Sequence, residues 1–135
     1  MPAKKIKTRT VERSRYKIYL KRAEDFYATM ESAFARGNWN SAGLEVVHCA
    51  ISITDAILVY LASVRSSSED HDDVTELLKQ RVTTPGAAQK IHHLEMILAL
   101  KHDIEYGVRD FSQREAADVV KHTERYFEWA KSLLP

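Results

Sequence analysis

Residues 41–64, "SAGLEVVHCAISITDAILVYLASV", constrain this chain more than any other stretch. Leu44, Val47, Ile51, Leu58 and Leu61 recur at intervals of three, four and seven, which places them on one face of an α-helix. Val46, Ala50, Ile53, Ile57 and Tyr60 widen that face well beyond the stripe of a surface helix. So broad an apolar surface predicts a central helix with several neighbours. Its greasiest part, "AISITDAILVYLASV", is broken by Asp55 and reads as too short to span a bilayer. A polar line remains at Glu45, His48, Ser52 and Asp55, also at helical spacing. That line predicts a wetted edge or a contact with a second subunit.

The helical period extends over most of the chain, and strand alternation is absent. A first helix is expected over about Val11–Ala35, with Tyr16, Leu20, Ala23, Tyr27, Met30 and Phe34 inward, Tyr19, Phe26 and Ala33 beside them, and Gly37 as terminator. Asn38 or Asn40 is expected to cap the central helix over Ser41–Val64. A short third helix is expected over Glu69–Arg81, capped by Ser66, Ser67 or Ser68, with Glu69, Asp70, Asp72 and Asp73 in its first turn. "TTPG" at 83–86 leads to a fourth helix over Ala87–Tyr106, stopped by Gly107. "SQRE" at 112–115 has capping-box spacing and opens a fifth helix that runs to Leu134. The fold class is therefore all-α: an antiparallel, up-down four-helix bundle with one additional short helix. Residues 1–10 form a basic N-terminal arm, and residues 11–135 form the bundle.

Charge is distributed unevenly. The net charge is +1, yet residues 1–22 carry nine Lys or Arg against the single acid Glu12. A basic arm on a slightly acidic body suggests contact with a polyanion such as RNA, through Lys4, Lys5, Lys7 and Arg9. The opening "MPAKKIKTRT" lacks the apolar run of a secretory signal. The lone Cys49 reads as a reduced core residue. Both features predict a soluble, cytoplasmic protein.

Several chemical motifs fail on their own terms. "EVVH" at 45–48 has the Glu-x-x-His pattern of di-iron bundles, but no second copy accompanies it. His92 and His93 are adjacent and point to different faces, one expected to touch the core and one to be wet. Asp118 and His122 share a face but make only two ligands, short of a closed metal site. No metal and no cofactor is expected. Phosphate-binding glycine loops and nucleophile elbows are absent. Arg65 and His71 remain, in "VRSSSEDHDD" at 64–73, bracketing the corner between the second and third helices. A guanidinium binds phosphate through two parallel hydrogen bonds, and an imidazole near neutrality moves a proton.

The Arg65-SSSED-His71 spacing resembles the Arg-x(4–6)-His signature of the HEPN superfamily, the higher-eukaryote and prokaryote nucleotide-binding domains. "AISITDAILVYLASVR" looks like the helix that leads into that arginine. "LALKHDIEYGVRDFSQREAADVVKHTERYFEWA" is similar to the C-terminal helical pair, with Lys101, Tyr106, Ala116 and Phe127 in familiar places. The resemblance covers residues 14–134 and implies a helical bundle, often a homodimer. It implies a metal-independent ribonuclease, frequently a toxin paired with a nucleotidyltransferase-type antitoxin. In that role His71 serves as base, Arg65 as phosphate clamp and Ser66 as the polar residue after the arginine. The alternative it implies is a non-catalytic module that binds a nucleotide, RNA or a partner protein. Asp73 stands where some toxins carry a tyrosine, and the acids at 69–73 repel a phosphate.

Overall fold

In a computed structural model, which describes residues 5–135, five α-helices follow one another along the chain. They are α1 (Tyr16–Ala35), α2 (Trp39–Ala62), α3 (His71–Arg81), α4 (Ala87–Tyr106) and α5 (Gln113–Ser132). A 3-10 turn at Arg13–Arg15 leads into α1. Two three-residue strands, β1 (Thr8–Thr10) and β2 (Val64–Ser66), pair antiparallel. The protein is all-α apart from this ribbon. Each strand is too short to show alternation in the sequence, which is why the pairing was not expected.

α2 occupies the centre and touches α1, α3, α4 and α5. Every residue from Ile53 to Val59 is buried, almost two full turns with no solvent-facing side. By length and composition α2 is long enough to cross a membrane, contrary to the expectation drawn from its apolar part alone. Of that apolar window 67% is buried inside the bundle. Leu44 and Leu61, expected inward, are exposed instead; Leu44 faces outward even though Ala42 and Gly43, nearer the same helix end, are buried. On α5 the apolar positions behave as the period predicts: Ala116, Val119, Val120, Tyr126, Phe127 and Ala130 are buried.

One polar contact ties the centre together. Thr54 donates its hydroxyl to the Ala50 carbonyl at 2.7 Å. Its single proton is thereby used, so the fully buried Tyr126 must donate to Thr54 Oγ1 across 2.6 Å. Burial pushes the Tyr126 phenol up, which keeps it a donor at any ordinary pH. Tyr27 stacks on Phe127 with centroids 4.4 Å apart, fastening α1 to α5.

The helix ends show which caps win. Gly37 adopts φ 74°, and the Asn38 amide reaches back to Ala33 at 2.9 Å, closing α1 in a Schellman turn. Asn38 holds the cap position of α2 without a side-chain bond. Asn40 lies inside α2 and does not cap it. Its Oδ1 accepts the Phe111 amide at 2.7 Å, pinning the loop between α4 and α5. The capping box at Ser112 and Glu115 forms as expected, and Arg109 grips Glu115 with two bonds of 2.7 Å.

α2 ends two residues earlier than its apolar pattern suggests. Ser63 takes a left-handed conformation, φ 53° and ψ 33°, and turns the chain out of the helix. Arg65 consequently belongs to β2 and not to the helix terminus. A non-glycine residue in this region costs about 1–2 kcal/mol. Ser63→Gly is expected to raise the melting temperature by roughly 2–5 °C, after allowing for the greater freedom of glycine in the unfolded chain. A scanning-calorimetry melt checks this; a lower melting temperature would show that the serine makes a compensating contact.

Candidate active site

Arg65 is fixed by three elements at once. Its backbone is in β2, where it stands opposite Arg9 of β1 in the strand register. The Ser67 amide bonds the Lys7 carbonyl at 3.0 Å, and the Val11 amide bonds the Ser63 carbonyl at 2.9 Å, so the ribbon is closed at both ends. Its guanidinium lies 5.1 Å from the centroid of the Tyr19 ring on α1. Its Nη2 donates to Asp55 Oδ2 on α2 at 3.2 Å. The Arg65 side chain remains 35% exposed, while that of Asp55 is 9% exposed. The Nε–H of Arg65 is buried and has no partner among the described residues. The guanidinium is therefore oriented, but its donors are only partly used.

Asp55 is the site residue that the sequence misplaced. It shares a helical line with Glu45, His48 and Ser52, and that line predicted a wet edge or a subunit contact. The structure buries Asp55 in the all-round buried segment of α2, against Arg65 of its own chain. Burial pushes its carboxyl up to about 6, and the attraction of Arg65 and Arg22 offsets only part of that. His48 lies against Phe26, ring centroids 5.2 Å apart, as a packing residue. The charged partner ten residues later was the available signal: a carboxylate inside so apolar a helix demands a nearby cation.

His71 is the first residue of α3, joined to Arg65 by Ser66–Asp70. Its side chain lies outside the described residues, as does the whole of Lys4. The corner itself is stitched locally. Ser66 Oγ accepts the Ser68 amide at 3.2 Å, and Ser68 Oγ accepts the Asp70 amide at 3.1 Å while donating to Asp73 at 2.8 Å. Asp70, not a serine, caps α3 by accepting the Asp72 amide at 2.9 Å. Ser66, the last residue of β2, is thus an acceptor for the corner, and its hydroxyl has no acceptor of its own among the described residues. Of the four acids in this corner, Asp72 and Asp73 occupy the first helical turn, Asp70 is the cap and Glu69 precedes it.

Cations and aromatic rings surround Arg65. Lys5, Lys7 and Arg9 are exposed, whereas Ile6 points into the core. Cross-strand partners share a ribbon face, so Arg9 and Arg65 project to the same side. Arg22 approaches the Tyr19 ring at 5.6 Å, and Arg13 covers the Tyr60 ring at 4.1 Å. Two like charges placed directly opposite are unfavourable. Asp55 relieves Arg65 of its share, and Arg9 is left facing solvent.

The class of the protein is that of an all-α helical bundle, with five helices and one short ribbon among the described residues. The family model of the HEPN domain matches residues 16–133, and the chain belongs to that family. No curated protein matches the sequence.

The raised carboxyl of Asp55 has a definite sign. It binds its proton more tightly folded than unfolded, where 3.8 is the ordinary value. Its contribution to stability is full below about pH 4 and is lost as pH rises through about 6. That swing is on the order of 3 kcal/mol. In urea titrations the stability of the natural chain relative to Asp55→Asn is expected to grow as pH falls from 7 to 4. A difference that is flat across that range would place Asp55 in a wetter setting.

Proposed function

We propose that the chain is an endoribonuclease that works without a metal ion, the activity centred on Arg65 and His71. The observation that carries this reading is the held guanidinium: Arg65 is aimed by Asp55 and Tyr19, keeps 35% of its side chain exposed, and sits in the strand from which the chain runs on to His71. A phosphodiester supplies the acceptors this group lacks. In the proposed reaction His71 takes the proton from a ribose 2′-hydroxyl, which attacks the adjacent phosphorus. Arg65 balances the charge that develops on the phosphoryl oxygens, and Ser66 donates to one of them. The products are a 2′,3′-cyclic phosphate and a 5′-hydroxyl.

A single histidine cannot be base and acid at once, as concerted attack and departure would require. A C2 homodimer, bringing a second His71 to the cleft, is part of the proposal. So is a nucleotidyltransferase-type antitoxin as protein partner, and a cytoplasmic location. RNA is the favoured polyanion because the basic face alternates with aromatic rings, the pairing that single strands use for phosphates and bases. The non-catalytic alternative draws on one observation, the ion pair that already occupies Arg65. It predicts binding of RNA or a nucleotide without cleavage.

The test is cleavage of single-stranded RNA in EDTA, with product ends identified by mass spectrometry. His71→Ala is expected to abolish cleavage and Arg65→Lys to remove most of it, since lysine keeps the charge but loses the planar fork. Binding without cleavage by the natural chain selects the non-catalytic reading; full activity in Arg65→Lys removes Arg65 from the chemistry.

The arm needs its own experiment. Deleting residues 1–10 would also remove β1 and the buried Ile6, so loss of binding would be ambiguous. Replacing Lys5, Lys7 and Arg9 by glutamine leaves the strand in place. Each lost phosphate contact lowers the log–log salt slope of single-strand binding by about 0.7, so the triple variant should flatten it by about 2. An unchanged slope makes the arm a structural strand only.

A further inference from the structure

His93 on α4 and His122 on α5 face each other across the seam between those helices. Their Nδ1 atoms are 2.8 Å apart, with ring centroids 5.1 Å apart and planes inclined at 48°. Both rings are half-buried, and the neighbouring His92 is exposed. The sequence set His122 beside Asp118 on its own helix; the structure gives His122 a partner on another helix instead.

At that separation the two nitrogens form an N–H···N bond, which needs one donor and one acceptor. With both rings neutral, one carries its proton on Nδ1 and the other on Nε2. Adding one proton keeps the bond, because an imidazolium still donates to a neutral ring. Adding a second proton places a hydrogen on each facing nitrogen and two positive charges in contact. The geometry then fails. We infer that the His93–His122 bond is a proton-operated latch: it holds α4 on α5 while at least one ring is neutral, and releases when both rings are protonated. This inference is independent of the ribonuclease reading.

The surroundings favour release over tolerance of two charges. Lys90 on α4 and Arg125 on α5 bring positive charge to the pair, His92 on α4 lies beside them, and Asp118 on α5 opposes them. Burial is the largest influence on each ring and lowers both, His93 further through His122, Lys90, Arg125 and His92. Asp118 pulls His122 the other way without reversing it. Among the described residues no group of three or more His, Cys, Asp or Glu converges as a metal site. The nearby Lys90 and Arg125 also oppose a dication, which makes the proton the better-fitting ligand.

The sign follows from the lowered values. The unfolded chain protonates these histidines near 6.5, before the folded chain does. The latch therefore stabilises the fold fully above about pH 6.5 and progressively less as pH falls below it. Its release bears on more than one helix. α4 carries α3 through the Lys79–Glu95 pair and the buried Leu77 and Leu78, and α3 opens at His71.

A double-mutant cycle tests the latch: urea unfolding of the full chain, His93→Ala, His122→Ala and the double variant, at pH 7.5 and pH 5.0. The two sites are expected to be coupled about two- to tenfold in the unfolding constant at pH 7.5, with the coupling lost or inverted at pH 5.0. Equal coupling at both pH values, or none at either, overturns the inference. Nitrogen-15 NMR of the unmutated chain guards against a variant that fails to fold. It should show one ring protonated on Nδ1 and a second protonation displaced to lower pH; two rings titrating independently near 6.5 overturn the latch as well.

Discussion

A helix with no wet side can exist only between other helices, and α2 is such a helix through Ile53–Val59. The arrangement of the molecule follows from enclosing it. α1, α4 and α5 supply the long covering faces, and the short α3 closes part of what is left. α1, α3 and α5 are amphipathic because one side of each faces the core, whereas α4, packed against α2, α3 and α5, shows little such asymmetry. The enclosure also dictates how polar groups behave inside. Thr54 and Tyr126 satisfy each other, and Asp55 must find a cation.

The demand made by Asp55 links the core to the site. A buried carboxylate is costly unless paired, and the nearest chain able to supply a guanidinium is the segment that leaves α2. The left-handed Ser63 redirects that segment, and pairing with β1 holds it against the bundle. The result is an arginine whose backbone, ring contact and ion pair are all determined before any ligand arrives. Such pre-orientation is what a phosphate-binding arginine requires, since little ordering is left to be done on binding. The burial of Asp55 is also why the ion pair is weak evidence of stability. Desolvation outweighs the attraction of Arg65, as the raised carboxyl shows.

The acids between Glu69 and Asp73 looked hostile to a phosphate in the sequence. In the structure Asp70 is a helix cap and Asp73 anchors Ser68. Two of the four thus have local duties that explain their presence without reference to a ligand. The basic arm changes meaning in the same way. Its Thr8–Thr10 segment is a strand, and the register of that strand, set by hydrogen bonds at both ends, brings Arg9 level with Arg65.

The helices, most of their buried faces and the Arg65–His71 spacing were legible in the amino-acid sequence, because helical period and capping residues act over a few neighbours. The end of α4, the capping box of α5 and the family membership all rest on such local signals. Only the tertiary structure decided the rest. The polar line that Asp55 shares with Glu45, His48 and Ser52 suggests a wet edge, and the groups that enclose and pair it come from other elements. A three-residue strand has no period of its own, and its partner lies more than fifty residues away. The meeting of His93 with His122, and the choice of Asp70 over three serines as cap, depend likewise on where packed helices leave room. Local patterns set which residues prefer to be inside; the packing of whole helices set which polar groups had to accompany them.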